Sequence, residues 1–141
     1  MERILFGKPI VAGSATGTAI VSKEPLSFWG GFCPCTGEII DRRHERSGAN
    51  VAGRIFVFPQ GKGSSTSSAT LMESIKNGVA PAAIINLKVD PILALGSIVS
   101  DELYQKAVPI VILAEKDFYS IKEEDHLTID PDGTVKISAE S

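Results

Sequence analysis

The sequence predicts an α/β fold in which a β-rich N-terminal layer packs on a layer containing β-α-β units. Three observations carry that expectation. The first part of the chain holds short runs of branched and aromatic residues bounded by Gly and Pro. After Ser64 the apolar spacing changes to that of a helix. Two continuous apolar runs then alternate with helical segments, as buried parallel strands do.

In chain order, "RILFG", "GTAIVS" and, after a long loop, "GRIFVF" read as strands. Leu71, Met72 and Ile75 fall on one helical face, Ser64 or Ser65 can cap the helix start, and "KNG" supplies a basic residue and a glycine stop. "APAAIINLK" reads as a strand inside a sheet. In "VDPILALGSIVSDELYQK" Asp90 can cap a second helix and Pro91 can occupy its first turn, although Gly96 interrupts its middle. "VPIVILA" is another buried strand, and "HLTIDPDGTVKIS" alternates on both sides of a turn signal, which predicts a hairpin.

With 141 residues, 15.0 kDa and 43% hydrophobic residues, the chain is expected to form one domain over residues 1–141. A chain of this size buries roughly two thirds of the surface it exposes when unfolded. Fourteen basic and 17 acidic residues give a net charge of -3, and no basic tract extends beyond "DRRHER", so nucleic acid is not an expected partner. The apolar runs at 82–87 and 108–114 are far shorter than the roughly 20 residues a membrane span needs. No signal-peptide core develops at the N-terminus, and a cytoplasmic protein is expected.

Cys33 and Cys35 stand in a C-P-C arrangement in which a disulfide would be strained. They read either as two ordinary reduced thiols or as two ligands of a metal site with His44 as third. They lie in the longest aperiodic stretch, residues 23–50, which also holds Trp29 and the cluster Arg42, Arg43, His44. Its glycines and polar residues offer little to bury, so mobility in the isolated chain is expected. Trp29 reads as a plug of the core, and "DRRH" as either a solvated loop or a binding element.

The stretch "FPQGKGSSTSS", residues 58–68, concentrates the chemistry. A strand ends at Pro59, the glycines of Gly61-Lys62-Gly63 allow a tight turn, and Ser64 and Ser65 open a helix. Converging N–H groups at a helix N-terminus, with Lys62 beside them, suit a carboxylate or phosphate. The same pattern also serves as a plain turn and cap. It is not a Walker A loop, because Gly63 separates the lysine from the first serine. It is not a nucleophile elbow either, since no second glycine follows Ser64 at the required spacing. His44 and His126, the two histidines, give a Ser-His-Asp triad few candidates.

Together, "LSFWGGFCPCTGEIIDRRHERSGANVAGRIFVFPQGKGSSTSSATLMESI" and the glycine-rich segment from Gly7 to Ala19 resemble the small subunit of the aconitase X family. The resemblance implies a swivelling β/β/α domain like the mobile domain of aconitase. It also implies a larger partner subunit carrying a four-iron iron–sulfur cluster, with no metal or cofactor held by this chain. Archaeal members with a separate small subunit dehydrate (R)-5-phosphomevalonate to trans-anhydromevalonate 5-phosphate in a modified mevalonate pathway to isoprenoids. Bacterial relatives act on cis-3-hydroxy-L-proline.

On the family pattern Ser64 is the base that removes the substrate proton, a role that fits a hydroxyl set at a helix N-terminus, where the field favours its alkoxide. Lys62, Gly63 and Ser65 are expected to bind substrate beside it, and Arg42, Arg43 and His44 to contact the substrate phosphate or the partner subunit. Lys62 stands where relatives often carry arginine, and a lysine lacks the bidentate fork. A non-catalytic module binding phosphate or carboxylate is the alternative of a different class. Its phosphohistidine-carrier version would need a histidine at the turn, and none lies between Ser64 and Leu87.

Overall fold

The structure, a computed structural model, describes residues 2–61 and 66–138. The strands are β1 (Glu2–Phe6), β2 (Lys8–Val11), β3 (Ala15–Val21), β4 (Ile55–Val57), β5 (Ala83–Asn86), β6 (Ile110–Ile112), β7 (His126–Ile129) and β8 (Thr134–Ser138). The helices are α1 (Phe28–Gly31), α2 (Thr66–Lys76), α3 (Pro91–Tyr104) and α4 (Glu115–Phe118). The strands join in the order β1-β8-β7-β3-β4-β5-β6-β2.

β3 is the hinge of this arrangement. Its first half, Ala15 to Thr18, pairs antiparallel with β7, and its second half, Ala19 to Val21, pairs parallel with β4. The antiparallel layer therefore contains β1, β8, β7 and the start of β3, while β4, β5 and β6 run parallel beyond the end of β3. Only Gly7 separates β1 from β2, yet these strands pair at opposite ends of the order, so the sheet curls until its edges meet. At that seam Gly7 N–H donates to the Gly133 carbonyl at 3.0 Å. A Cβ on Gly7 would collide with Val111, so the closure requires glycine there.

The expected β layer on a β-α-β layer is present, with one difference. The first layer is built from both ends of the chain, because the C-terminal hairpin pairs with β1 on one side and β3 on the other. Short-range pattern could identify that hairpin but not its neighbours.

Strand alternation sorts side chains into two cores. Ile55, Val57, Ala83, Ile85, Val111, Leu127, Ile129, Val135 and Ile137 point between the β layers. Phe56, Phe58, Ile84 and Ile110 face outward and are covered by Leu71 and Ile75 of α2 and Leu93 and Ala94 of α3. The result is three layers, β/β/α.

α3 begins and α2 ends as their sequences dictate. Asp90 caps α3 by accepting from Ile92 N and Leu93 N, with Pro91 in the first turn. Gly78, at φ +76, terminates α2. Gly96 is explained by proximity rather than as a break: a Cβ there would lie 2.8 Å from the Ser68 carbonyl oxygen, so glycine lets α3 approach α2.

Candidate active site at the carboxyl ends of the parallel strands

The carboxyl ends of β3, β4 and β5 lie side by side, and in α/β folds with parallel strands, open or closed, this is the end where ligands bind. Three segments leave the sheet there: residues 22–54 after β3, the described residues 58–61 after β4, and 87–90 after β5. Ser64, Lys62, Gly63 and Ser65 lie outside the described residues. The flanks of that stretch are described and define its surroundings.

The chain leaving β4 is tied at every step. Asn86 Nδ2 donates to the Phe58 carbonyl at 2.8 Å, Leu87 N and Lys88 N donate to the Pro59 carbonyl at 2.9 and 3.2 Å, and Leu26 N donates to the Gln60 carbonyl at 3.3 Å. Gly61 N then donates to Asp90 Oδ2 at 2.9 Å. On the far flank Trp29 N donates to Ser67 Oγ, 3.4 Å away in the first turn of α2.

The segment after β3 departs from expectation. Residues 23–50 are expected to have little to bury, yet Leu26, Phe28, Phe32 and Ile39 are all within the core under α2. Phe28 packs against Phe32 and Phe58 with ring centroids at 4.9 and 5.9 Å. The apolar positions are spaced irregularly, so no strand or helix period revealed them. Isolated bridges, Phe32 with Ile39 and Glu38 with Asn50, close the segment on itself.

Trp29 is not the core plug. It is 59% exposed, and α1 is kinked at this point, with non-helical backbone at Trp29 (ψ 117°) and at Gly30 (φ +82°). Phe28 goes in; Trp29 goes out.

Trp29 forms one wall of a cleft of about 430 Å³, lined also by Glu24, Ser27, Gly30, Gly31, Asp41, Arg43 and His44. Of the three candidates in "DRRH", Arg43 and His44 thus reach the cleft, whereas Arg42 does not line it. Both arginines are exposed and have no ion pair among the described residues. Arg43 is oriented locally by its N–H, which donates to Asp41 Oδ1 at 3.0 Å.

His44 is 6% exposed and engaged within the chain. Arg46 N donates to Nδ1 at 3.1 Å, which places the ring proton on Nε2, within 3.3 Å of Ser22 Oγ and 3.4 Å of the Glu24 carbonyl. Ser22 Oγ in turn accepts from Glu24 N and lies 3.1 Å from Glu45 Oε1. Glu45 also accepts from Lys23 N, and this bond, followed by that from the Ser22 hydroxyl, holds its carboxyl below the usual carboxylate range. In this geometry His44 anchors the loop that presents Arg43.

Among the described residues no group of three or more His, Cys, Asp or Glu side chains is gathered for a metal ion. Cys33 and Cys35 are free thiols, and the Thr36 hydroxyl, with the Cys35 backbone second, lowers the Cys33 thiol from its ordinary range. A four-iron cluster takes thiolates from three or four cysteines, so this chain's two do not fit one. No helix among the described residues is long and apolar enough to cross a membrane.

The sequence identified Asp90 as a cap but not as the partner of Gly61. It did not single out Asn86, whose side chain is fully buried and whose Oδ1 has no partner among the described residues. An asparagine ending an otherwise apolar run, "AIIN", was the available signal.

The family model for the aconitase X swivel domain matches residues 4–137. The chain is 44% identical over 125 residues to the phosphomevalonate dehydratase small subunit of Methanocella arvoryzae, covering 88% of this chain and 90% of that protein. It is 45% identical over 113 residues to the cis-3-hydroxy-L-proline dehydratase of Pseudomonas aeruginosa, covering 80% of this chain but 20% of that protein. Among solved structures, the crystal structure of Thermococcus kodakaraensis aconitase X in its holo form superimposes with a TM-score of 0.86 at 39% identity, covering 96% of this chain and 98% of that chain.

Proposed function

This chain belongs to the aconitase X swivel-domain family, and we propose on that footing that it is the small subunit of a two-chain hydro-lyase that removes water from (R)-5-phosphomevalonate. The observation that carries the reading is the match in both identity and extent to a phosphomevalonate dehydratase small subunit, 44% over 90% of that protein. The large subunit is the partner, the iron–sulfur cluster sits on it, and the chain is inactive alone. The free thiols at Cys33 and Cys35 support a reducing compartment, the cytoplasm.

In this reading Ser64 is the base that takes the substrate proton, and Lys62, Gly63 and Ser65 bind substrate around it. What supports the placement is the setting of that stretch: it follows the carboxyl end of β4 and immediately precedes α2, where helix N–H groups and the helix dipole favour a developing negative charge. Arg43, exposed on the neighbouring cleft, is the described candidate for the substrate phosphate. Its planar fork suits phosphate recognition.

The 45% identity to a cis-3-hydroxy-L-proline dehydratase favours one second reading, in which the same subunit serves that substrate. The pair assembled without oxygen and offered both compounds side by side separates the two. Turnover of phosphomevalonate with little of hydroxyproline is expected; the reverse preference overturns the substrate assignment.

A further inference from the structure

Gly61 is the last described residue before the stretch that holds Ser64, and a side-chain carboxylate from another element secures it. Asp90 Oδ2 accepts from Gly61 N at 2.9 Å, while Oδ1 of the same group accepts from Ile92 N at 3.1 Å and Leu93 N at 3.3 Å. One carboxylate thus joins the exit from β4 to the start of α3, a helix of 14 residues. A Cβ at Gly61 would collide with Asp90 Oδ2. The glycine is there to admit the carboxylate, since no positive φ requires it.

We propose that Asp90 is a positioning residue for proton removal at Ser64: it fixes the point from which residues 62–65 depart. The proposal rests on the reading of Ser64 as base. A helix cap needs only one acceptor, and serine supplies it as well as aspartate does. Among the described residues the second oxygen accepts from Gly61 alone. The ties at Phe58, Pro59 and Gln60 lie upstream, and Gly61 itself also forms a parallel bridge with Leu26.

The test uses the chain assembled with its large subunit and (R)-5-phosphomevalonate as substrate. Asp90→Ser retains a cap for α3 but its single hydroxyl cannot also reach Gly61. Displacement of a catalytic group by about 1 Å costs on the order of 100-fold in rate, so kcat is expected to fall about 10- to 100-fold with KM changed less than about twofold. Amide exchange on the variant is expected to show a faster Gly61 N–H with Ile92 and Leu93 still protected. Gly61→Ala, which expels the same carboxylate, is expected to cost far less in the Asp90→Ser background than alone.

If Ser64→Ala abolishes turnover while Asp90→Ser keeps full kcat, the positioning role is wrong and the base assignment stands. If Asp90→Ser also exposes the Ile92 and Leu93 amides and activity falls only with the folded fraction, the residue is merely a cap and the proposal is overturned. Turnover surviving in Ser64→Ala removes the base assignment and the positioning role together.

Discussion

Substituting Gly96 by alanine sets two effects against each other, and their difference is predictable in sign. In an unobstructed helix interior the change gains about 1 kcal/mol, the helix-propensity gap between the two residues. Here the new Cβ would lie 2.8 Å from the Ser68 carbonyl oxygen, 3.1 Å from its Cα and 3.3 Å from its carbonyl carbon. All three are backbone atoms of α2, so no rotamer change relieves the contact and the helices must separate. Overpacking of this kind costs about 1–3 kcal/mol, and rigid backbone on the far side places it in the upper half of that range. The net expectation is a loss of about 1–2 kcal/mol, a fall in Tm of roughly 2–8 °C for a domain of this size. Urea and thermal unfolding of the variant, followed by far-ultraviolet circular dichroism, measure it. A midpoint equal to or above that of the parent chain would refute the claim that α3 needs glycine to approach α2.

Two further outcomes follow from the segment after β3. Phe28→Ala removes a fully buried ring packed on Phe32 and Phe58 and is expected to cost about 3–5 kcal/mol in a urea unfolding curve; a loss under about 1 kcal/mol would mean that the segment is not part of the core. The Glu45 carboxyl is lowered in the folded chain by Lys23 N–H and the Ser22 hydroxyl, so its contribution is fully present above the unfolded carboxylate pKa of about 4.3 and is lost as pH falls through the lower folded value. Because Glu45 is exposed, solvent screening limits that contribution to about 1 kcal/mol or less. Glu45→Gln is therefore expected to be less stable than the parent at pH 7 and to converge with it in strong acid; a stability difference independent of pH would contradict this.

The elements with a clear period were legible from the residues. The hairpin around Pro131-Asp132-Gly133, the Asp90 cap and the alternation of helices with β4, β5 and β6 all followed from local pattern. Three features were not, each for a physical reason. The curl that brings β1 and β2 to opposite edges is a long-range pairing that no local window contains. The short β2 carries Pro9, which argues against a strand except at an edge, where it lies. The segment over residues 22–54 buries Phe28, Phe32 and Ile39 without any repeat, and its mixture of glycine and polar residues concealed a core contribution.

The site was legible in a different measure. The turn after β4 announced itself through Gly, Lys and Ser, and "DRRH" through charge. The sequence could not show that Arg43 would reach the cleft while His44 would be held inside by Arg46 N, Ser22 and Glu24. Nor could spacing reveal that Asp90, 29 residues beyond Gly61, would meet it.

The most direct measurement is the rate of water loss from (R)-5-phosphomevalonate by the anaerobically assembled pair, with the parent chain and with Ser64→Ala at equal subunit occupancy. The account predicts steady turnover in the first case and a loss of at least about 100-fold in the second, with assembly intact. Turnover in the Ser64→Ala pair within a few-fold of the parent would contradict it.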